Sequence, residues 1–191
     1  MTLKVEVSNG NHKLGKDTLI LNMSSATDCP SRAAELCAVG DICYARKAER
    51  QYPAVLPYRR RQEQVWRRLS AEEMFYALLS IVMRKRHSIK YLRVNESGDF
   101  HKQCDVYKLD ILSYMLNRHL GIGTYVYTAR SDLSYSNLNP ALVVNGSHFM
   151  VHNSFDAIAD TSSYEFVCES NCRNCNLCKE RGGRRIAVKF H

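Results

Sequence analysis

The chain has 191 residues, 45% hydrophobic and 24% charged, which is the make-up of a folded globular domain and excludes a disordered segment. At 21.9 kDa it can bury one core without disulfide staples, and no apolar run approaches the length of a membrane span. The formal charge is +8 and the pI near 9.1, so an anionic partner such as nucleic acid fits, and no membrane partner is expected.

Residues 4–7 alternate like an edge strand, and Ser8, Asn9, Gly10 and Asn11 break it. Residues 18–22 read as a short apolar strand running into the small, polar loop 23–28, which delivers Cys29. Pro30 suits the first position of a helix carrying Ala33, Ala34 and Leu36. Ser70 and Glu73 spell a capping box ahead of Met74, Phe75, Leu78, Leu79 and Val82 on one helical face, which predicts a helix to about Arg86. Residues 91–95 read as a strand, followed by the loop 96–100. The apolar series Val106, Leu109, Leu112, Leu116 and Leu120 predicts a helix stopped by Gly121. Strands follow at 124–128 and 141–145, with a last one at 186–190.

Apolar strands separated by helices predict an α/β fold with a parallel sheet, drawn as a partial or open (β/α) barrel over residues 1–165. Residues 166–191 form a separate cysteine-rich C-terminal segment. In such folds ligands bind beyond the strand C-termini, which gathers Cys29 and residues 96–99, 128–131 and 145–147 around one mouth.

Seven of the eight cysteines fall in two groups. No secretory leader is visible, so a reduced cytoplasmic setting is expected, and metal is favoured over disulfides. Cys29, Cys37 and Cys43 can hold three irons of a [4Fe–4S] cluster, with buried structural cysteine as the bland alternative. Cys168, Cys172, Cys175 and Cys178 lie within eleven residues among Asn, Arg and Glu, too polar a run to be core. Loops this short close around a cubane cluster or a tetrahedral zinc, either for electron transfer or to staple the tail to the domain. Cys104 stands alone at a helix start, and His148 and His152 lie in strand and loop, where their spacing does not make a helical metal pair.

Glu96 and Asp99 are the acids at a strand end, placed to bind an amino group or act as a base, with helix capping by Asp99 or Asp105 as the ordinary alternative. Thr128 to Ser131 offers hydroxyls and the Arg130 cation to an anion. The positive charge is concentrated in Arg46, Lys47 and Arg50, in Arg59, Arg60, Arg61, Arg67 and Arg68, in Arg84, Lys85, Arg86 and Lys90, and in Arg181, Arg184 and Arg185. Each run alone reads as a solvated helix face, and together they read as a field for nucleic acid.

Asp28-Cys29-Pro30, Cys37, Cys43-Tyr44-Ala45 and the run 47–53 resemble the phage gene product 88 family, as do residues 93–100, 127–131 and the terminal cysteines. More distantly the chain resembles radical S-adenosylmethionine (SAM) enzymes, which bind a three-cysteine [4Fe–4S] cluster after the first strand of a partial barrel. That resemblance implies Cys29, Cys37 and Cys43 as cluster ligands, with Ser97, Gly98 and Asp99 in place of the motif that meets the SAM amino group; Asp99 or Glu96 would accept from its ammonium. The spacing departs from that family, with seven residues then five in place of three then two. Two readings stand. One is an iron–sulfur enzyme that binds and reductively cleaves SAM; the other is a non-catalytic, cluster-stabilised module that binds nucleic acid or a host protein through its basic surface.

Overall fold

Strand β2 (Thr18–Leu21) is buried at all four positions, as a strand flanked at both edges and covered on both faces must be. A computed structural model of the chain describes residues 3–10, 13–37, 39, 42–146, 166–168, 172–180 and 186–188. Its main sheet has five strands in sequential order. These are β1 (Ser8–Asn9), β2, β3 (Tyr91–Val94), β4 (Gly123–Thr128) and β5 (Leu142–Gly146). β1 pairs antiparallel with β2, and β2 to β5 run parallel. The fold is mixed α/β with a mostly parallel sheet, as the sequence pattern predicts.

The edge strand expected at 4–7 is displaced to Ser8–Asn9. The Glu6 N–H donates to Gln62 Oε1 at 3.0 Å, and Val5 is buried in the core. That segment bonds to a helix side chain, so its backbone is not available for a ladder.

Helices α1 (Pro30–Ala33), α2 (Tyr44–Gln51), α3 (Val55–Arg68) and α4 (Ala71–Val82) lie between β2 and β3, and α5 (Gln103–Leu120) lies between β3 and β4. The Ser70 hydroxyl accepts from Glu73 N while Glu73 accepts from Ser70 N, so the capping box starts α4 as read. The helix stops at Val82, short of Arg86, because the apolar stripe ends there and Met83 is exposed. Gly121 ends α5 in the left-handed conformation that glycine adopts freely, with φ of 66°.

One face of the sheet presents Leu19, Leu21, Leu92, Val94, Val126 and Leu142 to Val65, Trp66, Met74, Phe75, Leu78, Val106, Leu109 and Leu112. Trp66 donates its indole N–H to Asp105 Oδ1 at 2.9 Å, joining α3 to α5. By strand alternation the opposite face carries Ile20, Arg93, Tyr125 and Val143 in one row, and Tyr127 beside Asn145. The last expected strand is present as β7 (Ile186–Val188), where it pairs in parallel with β6 (Phe166–Cys168) in a second sheet.

Candidate metal centre

The C-terminal ends of β2, β3 and β4 are tied together by one carboxylate. Asp99 Oδ1 accepts the Phe100 N–H at 2.8 Å and the Thr128 hydroxyl at 2.7 Å. Its Oδ2 accepts the Ala129 N–H at 2.8 Å and the Ser31 hydroxyl. Burial pushes the Asp99 carboxyl above its ordinary range, although all four donors favour the charged form. Beside it, Gly98 has φ of 72°, and a Cβ there would fall 1.9 Å from Ser24 Oγ. The glycine is required by this contact between the loops after β2 and β3. Glu96 is half-buried, and its carbonyl accepts the Tyr44 hydroxyl at 2.8 Å.

The loop that delivers Cys29 is held from below by Glu49. Its carboxylate accepts Ala26 N at 2.7 Å, Thr27 N at 2.8 Å and the Thr27 hydroxyl at 2.8 Å, and pairs with Arg59 at 2.9 Å. Burial would raise the Glu49 carboxyl, but the two loop amides and Arg59 outweigh it and hold it low. Burial pushes the Cys29 thiol up to about 11, and the negative neighbours Asp99 and Cys37 push the same way. Cys43 occupies the N-cap of α2. Of the mouth expected from sequence, Asp99, Thr128 and Ala129 form a bonded corner with Ser31 beside Cys29, while Asn145 bonds to the Cys178 carbonyl and Ser147 lies outside the described residues.

Arg130 is committed within this corner. Its guanidinium donates to both Asp132 oxygens at 2.7 Å and to the Phe100 and His101 carbonyls at 2.6 and 3.0 Å. The arginine run on α3 is similarly engaged: Arg59 with Glu49, Arg60 with Asp28 at 2.7 Å, and Arg67 with Glu63 at 2.8 Å. Arg61 stands 4.0 Å from Glu6. Four of the five α3 arginines in the expected nucleic-acid footprint therefore meet carboxylates of the same chain. Cys104 is exposed, while His148 and His152 lie outside the described residues.

The second cysteine group lies over the sheet face opposite the helices. Asn145 Nδ2 donates to the Cys178 carbonyl at 3.0 Å, and Lys179 Nζ donates to the Cys172 carbonyl at 3.2 Å. The Lys179 ammonium sits 4.6 Å from the Tyr91 ring centre. Tyr91, Tyr125 and Tyr127 form an edge-to-face ladder with ring centres 6.3 and 6.1 Å apart, and Arg93 stands 5.4 Å from the Tyr127 ring. Burial raises the Cys178 thiol, as do the neighbouring thiols Cys168, Cys172 and Cys175, while a hydrogen bond from Tyr127 opposes them. Burial likewise raises Cys172, with Cys168 and Cys175 adding to it and Arg93 opposing it.

These four thiols share one neighbourhood, and as a donor set they match a tetrathiolate centre in number, softness and spacing. Among the described residues no three His, Cys, Asp or Glu side chains converge as a metal-holding group. The first group is looser still: Cys37 lies in the surroundings of Cys29, and Cys43 heads a different helix.

The sequence matches the Gene product 88 family over residues 3–183. The chain belongs to that family. Gene product 88 is a bacteriophage family, and the match spans both cysteine groups. Neither the curated proteins nor the solved structures gave a match. No helix among the described residues of this Gene product 88 chain is long and apolar enough to cross a membrane.

The residues that sequence reading missed are Glu49, Arg93, Tyr125, Tyr127 and Lys179. A signal for some of them was present: Tyr91-x-Arg93 and Tyr125-x-Tyr127 place aromatic and cationic residues two apart in otherwise apolar strands. Glu49 gave no comparable signal, because its partners lie 10 to 23 residues away.

Proposed function

We propose that this protein is a metal–thiolate protein whose centre is held by Cys168, Cys172, Cys175 and Cys178, as a [4Fe–4S] cluster or, alternatively, as zinc. The observation that carries the reading is the close spacing of four thiols in a segment held over the sheet face opposite the helices, where each neighbouring thiol disfavours ionisation of Cys178. Thiols that repel one another as anions are the groups a soft cation stabilises most. A cluster would supply one-electron transfer, and zinc would fix the tail to the domain. Asn145 and Lys179 hold the backbone of the two cysteines in place by their carbonyls.

The enzymatic form of the proposal adds a second cluster at Cys29, Cys37 and Cys43, open to SAM. Support for it is the sequence resemblance and the position of Cys29 beside Cys37 and the loop after β3. Within that loop Gly98 and Asp99 are engaged by Ser24, Ser31, Thr128 and Ala129, which makes Glu96 the acid to test for SAM.

Anaerobic isolation with iron, sulfide and zinc analysis tests the proposal. Wild-type protein should carry iron and sulfide, or stoichiometric zinc, and Cys172→Ser/Cys175→Ser should lose it while remaining folded. Metal content unaffected by that double substitution, or four mapped disulfides, overturns it. The SAM extension needs calorimetric binding of SAM that Cys43→Ala removes. Its absence in cluster-loaded protein leaves a non-catalytic module.

A further inference from the structure

Arg93 lies on β3, between β2 and β4, with Ile20 and Tyr125 as its register partners. A guanidinium in such a place is costly unless an anion or a full set of acceptors meets it. Arg93 has the Tyr127 ring at 5.4 Å, while its Nε is buried and has no hydrogen-bond partner. The Tyr125 hydroxyl on the same face is also buried and unpartnered. Over this face lies the four-cysteine segment, fixed by the Asn145 and Lys179 bonds to the Cys178 and Cys172 carbonyls.

We propose that Arg93 is the cationic seat of the metal–thiolate centre, donating from its guanidinium to a ligand sulfur on the side facing the sheet. The assignment rests on the metal reading above. Four thiolates overcompensate a divalent ion or a doubly charged cubane, so the assembled centre is a net anion. A half-buried guanidinium with a buried, unused Nε donor, beneath a segment that assembles an anion, completes both charge and hydrogen bonding. Glu96 and the tyrosines 44, 125 and 127 also lie near Arg93. Hydrogen bonds from outside the ligand set to coordinating sulfur tune both affinity and reduction potential. Arg93 is thus a positioning residue and not a ligand.

The test uses the full chain with Arg93→Met and Arg93→Lys, titrated with Cd²⁺ against a competing chelator. Sulfur-to-metal charge-transfer absorption reports the thiolates bound. Arg93→Met should hold metal about 10- to 100-fold more weakly than wild type, the range for lost outer-sphere partners. Arg93→Lys should fall between the two, since it keeps the charge and loses the planar fork. If Arg93→Met does not fold, Arg93→Lys alone decides, with a severalfold loss as support. Equal affinity in wild type and the folded variants overturns the assignment and leaves the metal reading intact. Wild type that binds no Cd²⁺ through Cys168, Cys172, Cys175 and Cys178 overturns both, and that result is visible before any arginine variant is made.

Discussion

Two polar regions of this molecule treat their hydrogen bonds in opposite ways. In the corner around Asp99, each carboxylate oxygen accepts two donors from separate elements, and Glu49 below it is equally occupied. On the face beneath the C-terminal cysteines, Arg93 Nε and the Tyr125 hydroxyl are buried without partners. A fully bonded polar cluster is a framework, because it gains nothing from a further ligand. An under-bonded one is where a ligand returns the most free energy. The loop that carries Gly98 and Asp99 is therefore explained by folding, and the face that sequence reading passed over becomes the candidate site.

The largest expected effect comes from breaking the framework. Asp99→Ala leaves the Ser31 and Thr128 hydroxyls and the Phe100 and Ala129 amides without their acceptor. It should cost about 3–5 kcal/mol in urea unfolding, the range for removing one side of a buried charged network. Thr128→Val removes one donor and should cost about 1–3 kcal/mol. A loss below about 1 kcal/mol for Asp99→Ala would erase the contrast between the regions.

Glu49→Gln should follow, at about 3 kcal/mol near neutral pH, because it leaves Arg59 without its carboxylate. The pH dependence has a definite sign. The Glu49 carboxyl is held below its ordinary value of 4.5, so its contribution is complete above that pH and is lost as pH falls through the folded-state value. Thermal melts from pH 7 to pH 3 should show a shallower acid limb in Glu49→Gln than in wild type. A parallel limb would mean that other carboxylates govern acid unfolding.

The smallest effect is expected on the under-bonded face. Tyr125→Phe removes a buried hydroxyl that has no partner, so stability should stay within about 1 kcal/mol of wild type or rise. A larger loss would show that the hydroxyl is bonded in solution and would weaken the distinction between framework and site.

Much of the framework was legible from residues close in sequence. The Ser70 and Glu73 pair starts α4, Gly121 ends α5, and the apolar period of α5 names its buried side correctly. Residues 55–68 were harder to read as a core helix, because their arginines conceal the buried Val65 and Trp66. The run 4–7 alternates like a strand but bonds to Gln62 instead, a partner 56 residues away.

By itself the sequence determined strands β2 to β5, the caps of α4 and α5, the mostly parallel sheet and the two groups of thiols, since each depends on periodicity or spacing within a few residues. Tertiary structure alone decided what those pieces meet. It placed Asp99 under four donors from three elements and brought Arg93 and the tyrosine ladder beneath the terminal cysteines. It also matched much of the α3 arginine run to carboxylates of the same chain. The physical reason is that a charge or a hydrogen bond is completed by a partner in space, and that partner carries no mark in the local pattern of either residue.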